Sequence, residues 1–267
     1  MTGRLLLGLD LGSTRACAVV VDPEAEPAVR GRGQRPVPTR FPAPGHVEHD
    51  PEALVDCAAG ALAEALASAG AHAREATGLG IASQRATALA WDAETGRPLA
   101  PAIGWQDQRT AAEVARLRAR GIPATTQASA PKWAWLLRER REVAQAARAG
   151  RLRLGTPDAW LTARLAADGA AVTEPGHASC TGLWDAGTGG WSEAAAALFQ
   201  VPLEALPLLG DTAGVAGETA AARLGAPVPL AARAGDQQAA AFAQGVHAEG
   251  RAKLTLGTAA MLDVHTG

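Results

Sequence analysis

A chain of 267 residues, 48% hydrophobic and 19% charged, is too apolar to be disordered and long enough to bury a substantial core. Domains run to about 150 residues, so the length fits one large domain or two small ones. The 25 basic and 27 acidic side chains leave a formal net charge of −2. No strong field therefore draws the chain to nucleic acid or to an anionic membrane, and the expected partner is a small molecule or another protein.

The cysteines, Cys17, Cys57 and Cys180, are odd in number, widely spaced and without a CxxC pair. They read as small core residues rather than a disulfide framework. The apolar run Leu5-Leu6-Leu7 meets Asp10 too soon for a signal-peptide core. No stretch approaches the ~18 apolar residues of a membrane span, so the expected location is the cytoplasm.

The chain opens as a hairpin. Leu5-Leu6-Leu7-Gly8-Leu9 is a buried-strand run, Asp10-Leu11-Gly12-Ser13-Thr14 carries turn chemistry, and Ala18-Val19-Val20-Val21 resumes an apolar β-branched run. No GxGxxG follows the first strand, which excludes a dinucleotide-binding unit at this place. A bend of Gly, Ser and Thr offers backbone N–H groups and hydroxyls as an anion nest, but taken alone it reads first as an ordinary polar hairpin tip. Residues 23–49, rich in Pro, Gly and Arg, read as a loop with room for an edge strand.

Helices then follow. Asp50-Pro51-Glu52 starts one by capping, by a proline at the first position and by a favourable charge. Its apolar stripe is Leu54, Ala58, Leu62 and Leu66, and Gly70 stops it. Strands are expected over 77–82 and 87–91, with a turn at 92–96. Thr110 and Glu113 form a capping-box pattern ahead of Val114 and Leu117, closed by Gly121. A helix is expected over 132–148, with Trp133, Leu136, Leu137 and Val143 on its buried face. Thr156-Pro157-Asp158 opens one that buries Trp160, Leu161 and Leu165, and Ser192-Glu193 opens a short one ending near Phe199. Strands and helices intermix, so the class is α/β with a mixed sheet, and no low-complexity linker divides the first 250 residues.

Four polar clusters interrupt apolar stretches: Asp10-Leu11-Gly12-Ser13-Thr14-Arg15, Ser83-Gln84-Arg85, Gly104-Trp105-Gln106-Asp107-Gln108-Arg109 and Gly235-Asp236-Gln237-Gln238. Each alone reads as a solvated loop or a helix cap, Asp236 over residues 237–243 for instance. Jointly they suit a sugar-like ligand. Arg, Gln and Asp bond hydroxyls directionally, and a Trp face packs on the C–H side of a polyol.

These segments resemble the N-terminal lobe of the FGGY carbohydrate kinases, the family of glycerol kinase and xylulokinase. The matches are collinear along almost the whole chain. They are Gly8-Leu9-Asp10-Leu11-Gly12-Ser13-Thr14, Pro44-Gly45-His46-Val47-Glu48-His49-Asp50-Pro51, Gly80-Ile81-Ala82-Ser83-Gln84-Arg85, the stretch from Ala102 to Thr110, that from Thr173 to Ser179, Gly235-Asp236-Gln237-Gln238-Ala239-Ala240, and Leu256-Gly257-Thr258.

The resemblance implies an actin-like, ribonuclease-H-like ATPase lobe and ATP-dependent phosphorylation of a hydroxyl on a sugar or polyol, with Mg²⁺. Asp236 stands at the family's catalytic base, and Asp10 at the carboxylate that orients hydrated Mg²⁺. Gly12, Ser13 and Thr14 would meet the phosphates, with Arg15 as charge support. Gln84, Arg85, Trp105 and Gln237 would hold the acceptor, while Gly257 and Thr258 belong to a second phosphate hairpin. Residues 1–250 correspond to the sugar-binding, catalytic-base lobe, and 251–267 to the start of the nucleotide lobe. The expected partners are a sugar or polyol and either a second copy or a C-terminal lobe, with no nucleic acid and no membrane. Alone, the chain is expected to bind ATP poorly and to turn over little.

The pattern also departs from glycerol kinases. Ala86 replaces a substrate-binding Glu, the place of a substrate-binding Tyr falls near Gln127, and Cys17 replaces an Arg. The run Ala130-Pro131-Lys132 is nearer to xylulokinases. A different class stays open: a catalytically incomplete lobe that binds a sugar or a partner. A chaperone-type ATPase fits less well, because it needs no polyol cleft. His46 and His49 lack HExxH spacing and a third ligand for zinc. Trp133 and Trp135 read as helix packing with one half-exposed ring. Arg116, Arg118, Arg120 and the Arg138 to Arg141 run read as solvated helix faces.

Overall fold

The computed structural model describes residues 4–256 and 260–267. The hairpin forms as its pattern dictates. β1 (Leu5–Leu11) turns into antiparallel β2 (Arg15–Val21), burying Leu7, Leu9 and Leu11 beside Ala16, Ala18 and Val20. The Pro-, Gly- and Arg-rich segment supplies an edge strand, β3 (Val29–Pro36), antiparallel to β2.

Helix α1 (Pro51–Ala69) begins where Asp50 Oδ1 accepts the Glu52 N–H at 3.0 Å and ends at Gly70, whose φ of 61° is left-handed. Leu54, Ala58, Leu62 and Leu66 are buried under it as the spacing predicts. Ala61, Ala65 and Ala69 bring its backbone directly onto β3, where only Gly31 and Gly33 leave room: a Cβ at Gly33 would collide with the Ala61 carbonyl oxygen.

β4 (Ala76–Ser83) runs parallel to β1, while β5 (Leu89–Asp92) leaves the sheet and pairs antiparallel with β6 (Leu152–Gly155). Between these lie α2 (Ala111–Ala119), α3 (Ser129–Glu139) and α4 (Arg141–Arg148). The expected capping box of α2 does not form. The Ala111 N–H already donates to the Gln108 carbonyl, so the chain is turning before Thr110, whose hydroxyl is buried without a partner. The single helix expected over 132–148 is two, because Arg140 adopts an extended conformation (φ −113°, ψ 109°) with its guanidinium over the Trp135 ring. The break lets Trp133 and Leu136 share one core with Val143 and Ala146.

Helices α5 (Pro157–Leu165), α6 (Pro175–Ser179), α7 (Glu193–Phe199) and α8 (Ala221–Leu224) follow. α5 buries Trp160, Leu161 and Leu165, and the Trp160 Nε1–H donates to the Pro51 carbonyl at 2.8 Å. Ser192 caps α7 by accepting the Ala195 N–H. β7 (Leu230–Gly235) then completes a mixed sheet of order β7-β4-β1-β2-β3 and leads into α9 (Asp236–Ala243).

Two apolar clusters hold the fold. One lies between the sheet, α1 and α5, and the other is centred on Trp133 among α3, α4, β5, β6 and α7. Past α9, β8 (Ala252–Leu256) and β9 (Ala260–Val264) form an antiparallel hairpin with inverted patterning. Lys253 is buried while Leu254, Leu256, Leu262 and Val264 face outward. The cysteines correct the core reading: Cys17, Cys57 and Cys180 are all half-buried. Cys17 lies on β2, where side chains alternate between core and solvent, and Cys57 lies on α1. No helix among the described residues is long and apolar enough to cross a membrane.

Candidate active site

The site follows from strand register. Leu11 of β1 lies opposite Ser83 of β4, and Ser83 opposite Gly235 of β7. Three parallel strands therefore end level and release three of the four polar clusters at one edge, where open α/β sheets bind ligands. The fourth cluster reaches the same edge through a side chain. The Trp105 Nε1–H donates to Ser13 Oγ at 2.9 Å, and the Ser13 hydroxyl donates to Gln84 Oε1 at 2.9 Å. Gln84 Oε1 also accepts from the Thr87 hydroxyl at 3.1 Å. Across the floor, Arg85 Nε lies 3.5 Å from Asp236 Oδ1.

A cavity of about 430 Å³ opens over this network. Its walls include Ser13, Arg85, Ala86, Trp105, Gln127, Cys180, Asp236 and Gln237. The Cys180 sulfur accepts from Arg85 Nη1 at 3.6 Å, a neighbour that the cysteine reading did not foresee. Asp236 occupies the first turn of α9 and Gly235 its cap position, so the carboxylate is not the cap itself. It accepts the Gln237 N–H at 2.8 Å and is still reachable from the cleft. Gln237 Oε1 is held by Lys253 Nζ at 2.7 Å and by the Thr255 hydroxyl at 3.1 Å, so its amide NH₂ is the end left for a ligand.

Several expected contacts change. Gln84 is buried at 1% exposure. Its amide is spent on Ser13, Thr87 and the Gly12 carbonyl, so it braces the bend that follows β1. The Gly12 N–H closes the hairpin turn onto the Arg15 carbonyl at 2.9 Å and is not free for a phosphate. The N–H groups of Ser13 and Thr14 have no partner among the described residues. Arg15 is exposed at the start of β2, outside the cavity walls. Gly257 and Thr258 lie outside the described residues. The remaining charges of the Trp105 segment point inward. Asp107 and Glu48 both bind Arg109 (Nη2 to Glu48 Oε1 2.8 Å, Nη2 to Asp107 Oδ2 2.9 Å), and this buried cluster fixes the loop that carries Trp105.

Asp10 stands at the end of β1, reachable by water but flanked by desolvating walls. That desolvation, and then the charge of Asp236, push its carboxyl up to about 6. Two carboxylates that feel each other across a cleft suit a cation between them. No group of three or more His, Cys, Asp or Glu capable of holding a metal occurs among the described residues. The donor set thus fits Mg²⁺, which keeps most of its waters and needs only one or two carboxylates beside substrate phosphates.

Residues 5–243 match the family model of the FGGY family of carbohydrate kinases, N-terminal domain. This chain belongs to the FGGY family. Its fold is the actin-like ATPase type of these kinases. It is similar to a structure of Plasmodium falciparum glycerol kinase with ADP (TM-score 0.90, 26% identity, covering 98% of this chain and 54% of that one). It is likewise similar to xylulose kinase from Rhodospirillum rubrum (TM-score 0.85, 28% identity, covering 97% and 54%). A curated relative, the glycerol kinase of Aromatoleum aromaticum, is 42% identical over 272 residues, 98% of this chain and 54% of the relative. The FGGY chain described here spans about half the length of the curated relatives it matches.

The sequence assigns no role to two lysines, Lys132 and Lys253, whose contacts the structure shows. Lys132, fully buried, donates to the Ala86 and Gln127 carbonyls, and Lys253 holds Gln237. Both sit in ordinary helix or strand patterns, and only the three-dimensional neighbours reveal their partners.

Proposed function

We propose that this chain supplies the acceptor-binding and catalytic-base half of a cytoplasmic, ATP-dependent kinase for a sugar or polyol hydroxyl, the chemistry named for its glycerol kinase and xylulose kinase relatives. The observation that carries the reading is Asp236, a carboxylate in a cleft shared with Ser13, Arg85 and Trp105 and felt electrostatically by Asp10. Residues 1–250 act as the sugar-binding lobe, and the hairpin of β8 and β9 begins the nucleotide side.

In this reading Asp236 takes the proton of the acceptor hydroxyl as its oxygen attacks the terminal phosphorus of ATP, and the bond to the bridging oxygen breaks to release ADP. Such general-base help is typically worth ~10²–10⁴-fold. Arg85 and the Gln237 amide orient the acceptor, and the Trp105 ring covers one side of it. The N–H groups of Ser13 and Thr14, without partners among the described residues, would meet the phosphates, and Asp10 would hold hydrated Mg²⁺. When bound, Mg²⁺ supplies charge neutralisation on the phosphates, the larger part of catalysis in phosphoryl transfer.

Calorimetric titration of the chain with glycerol, xylulose and a polyol panel tests the acceptor site. Phosphorylation assays with ATP and Mg²⁺ follow, with and without a polypeptide equivalent to the remaining half of the relatives. Acceptor binding, with transfer when both halves are present, supports the kinase reading. Binding with no transfer under any condition supports a sugar-binding module, favoured by the half-length match. No binding by any member of the panel overturns both.

A further inference from the structure

Lys132 is fully buried in the first turn of α3. Nothing about packing asks for a cation there. Burial penalises the charge, the positive end of a helix repels it, and its hydrogen bonds among the described residues go to backbone carbonyls rather than to a carboxylate. Desolvation pushes its ammonium down to about 7, against a raising effect of Asp107 and in line with a lowering one of Arg109. A Met or Leu of similar length would fill the space without this cost.

What the ammonium contacts is informative. It donates to the Ala86 carbonyl at 3.0 Å and to the Gln127 carbonyl at 2.9 Å. Both residues line the cleft, and they come from separate walls: the turn that follows β4 and the loop that precedes α3. Ala86 also has φ of 61°, one of two non-glycine residues with positive φ among the described residues. An L-residue avoids that region unless its surroundings impose it, and such strain gathers at functional sites. The turn matters because it sets Arg85, one residue earlier, against Asp236.

We propose that Lys132 is a positioning residue of the acceptor site: by clamping the Ala86 and Gln127 carbonyls together it holds Ala86 left-handed and thereby aims Arg85 into the cleft. The inference rests on the cleft binding a sugar or polyol, as proposed above. It assigns the lysine a role through the backbone, without contact to acceptor or phosphate.

The test is a calorimetric comparison of glycerol and xylulose binding by the wild-type chain, Lys132→Met, Ala86→Gly and the double variant. Leaving two carbonyls unpaired and the turn free weakens the Kd of Lys132→Met roughly tenfold. A glycine adopts positive φ freely, so Ala86→Gly in the Lys132→Met background recovers part of the loss, a rescue that mere core packing would not produce. Equal affinity of Lys132→Met and wild type, or no recovery in the double variant, overturns the proposal. If Lys132→Met does not fold, a crystal structure of the wild-type chain decides. Nζ within hydrogen-bond distance of both carbonyls, with positive φ at Ala86, supports the clamp, and loss of either feature sinks it. Should the wild type bind neither probe, the functional reading fails separately, and the same crystal structure still decides the clamp.

Discussion

The Arg85 guanidinium and the Asp236 carboxylate meet at 3.5 Å although one follows β4 and the other follows β7. Neither side chain is closed off, with exposures of 22% and 30%. A fixed cation beside a reachable carboxylate orients it while leaving room for a hydroxyl. Asp236→Asn keeps the shape and removes the basicity. In the assembled two-half enzyme it lowers kcat by ~10²–10⁴-fold with acceptor KM within a few-fold. Arg85→Ala instead raises acceptor KM. Steady-state kinetics on both variants separate the two roles.

Asp10 gives a pH-dependent trade between stability and function. Its carboxyl titrates near 6 in the fold against a usual value of 3.8. The folded chain therefore binds more protons than the unfolded one between those values, and stability falls as pH rises through the window. Asp10→Asn removes the desolvated charge and its repulsion with Asp236. Its Tm is higher than wild type at pH 7, and the difference vanishes below about pH 4, where both forms are neutral. The same variant loses the Mg²⁺-dependent reaction. Differential scanning calorimetry across pH 4–8 checks the sign.

The contact between α1 and β3 has no spare room. Gly33→Ala drives a methyl into the Ala61 carbonyl, and the helix must lift from the sheet. Overpacking of this kind costs about 1–3 kcal/mol, occasionally more. Gly60→Ala, on the same helix, meets only the flexible Arg35 side chain and is tolerated. Urea denaturation of the two variants provides the comparison.

Thr110 is a position where sequence pattern and structure disagree on sign. As a helix cap, its loss would cost about 1 kcal/mol. As a buried hydroxyl without a partner, its replacement by the isosteric Val is neutral or stabilising. Thr110→Val therefore leaves the urea midpoint unchanged or raises it. A midpoint drop equivalent to about 1 kcal/mol would refute the structural assignment.

The sheet's first hairpin, α1 and α5 were legible because each carries its own local signal: alternation, an Asp-Pro or Thr-Pro start, a glycine stop. The edge strand β3 was legible only as room for one within a loop, since its Gly31 and Gly33 resemble loop residues until Ala61 and Ala65 are seen lying on them. The break at Arg140 carries no glycine or proline and is fixed by tertiary packing. For the site, Ser13, Arg85, Trp105 and Asp236, singled out by residue type, line one cleft. What they could not show is direction. Gln84 and Asp107 have the same hydrogen-bonding chemistry as Gln237 and Asp236, yet face inward and serve as supports.

The hairpin of β8 and β9 wears its polarity reversed, with Lys253 and Asp263 paired at 2.9 Å toward α9 and four aliphatic side chains toward water. Such a ribbon has adhesive character, and its strand edges are open as well. Concentrated solutions of the chain should bind hydrophobic dyes and drift toward larger particles over time. Leu254→Thr with Leu262→Thr should quiet that behaviour without disturbing the clasp on Gln237, because those positions lie on the opposite side of the ribbon from Lys253.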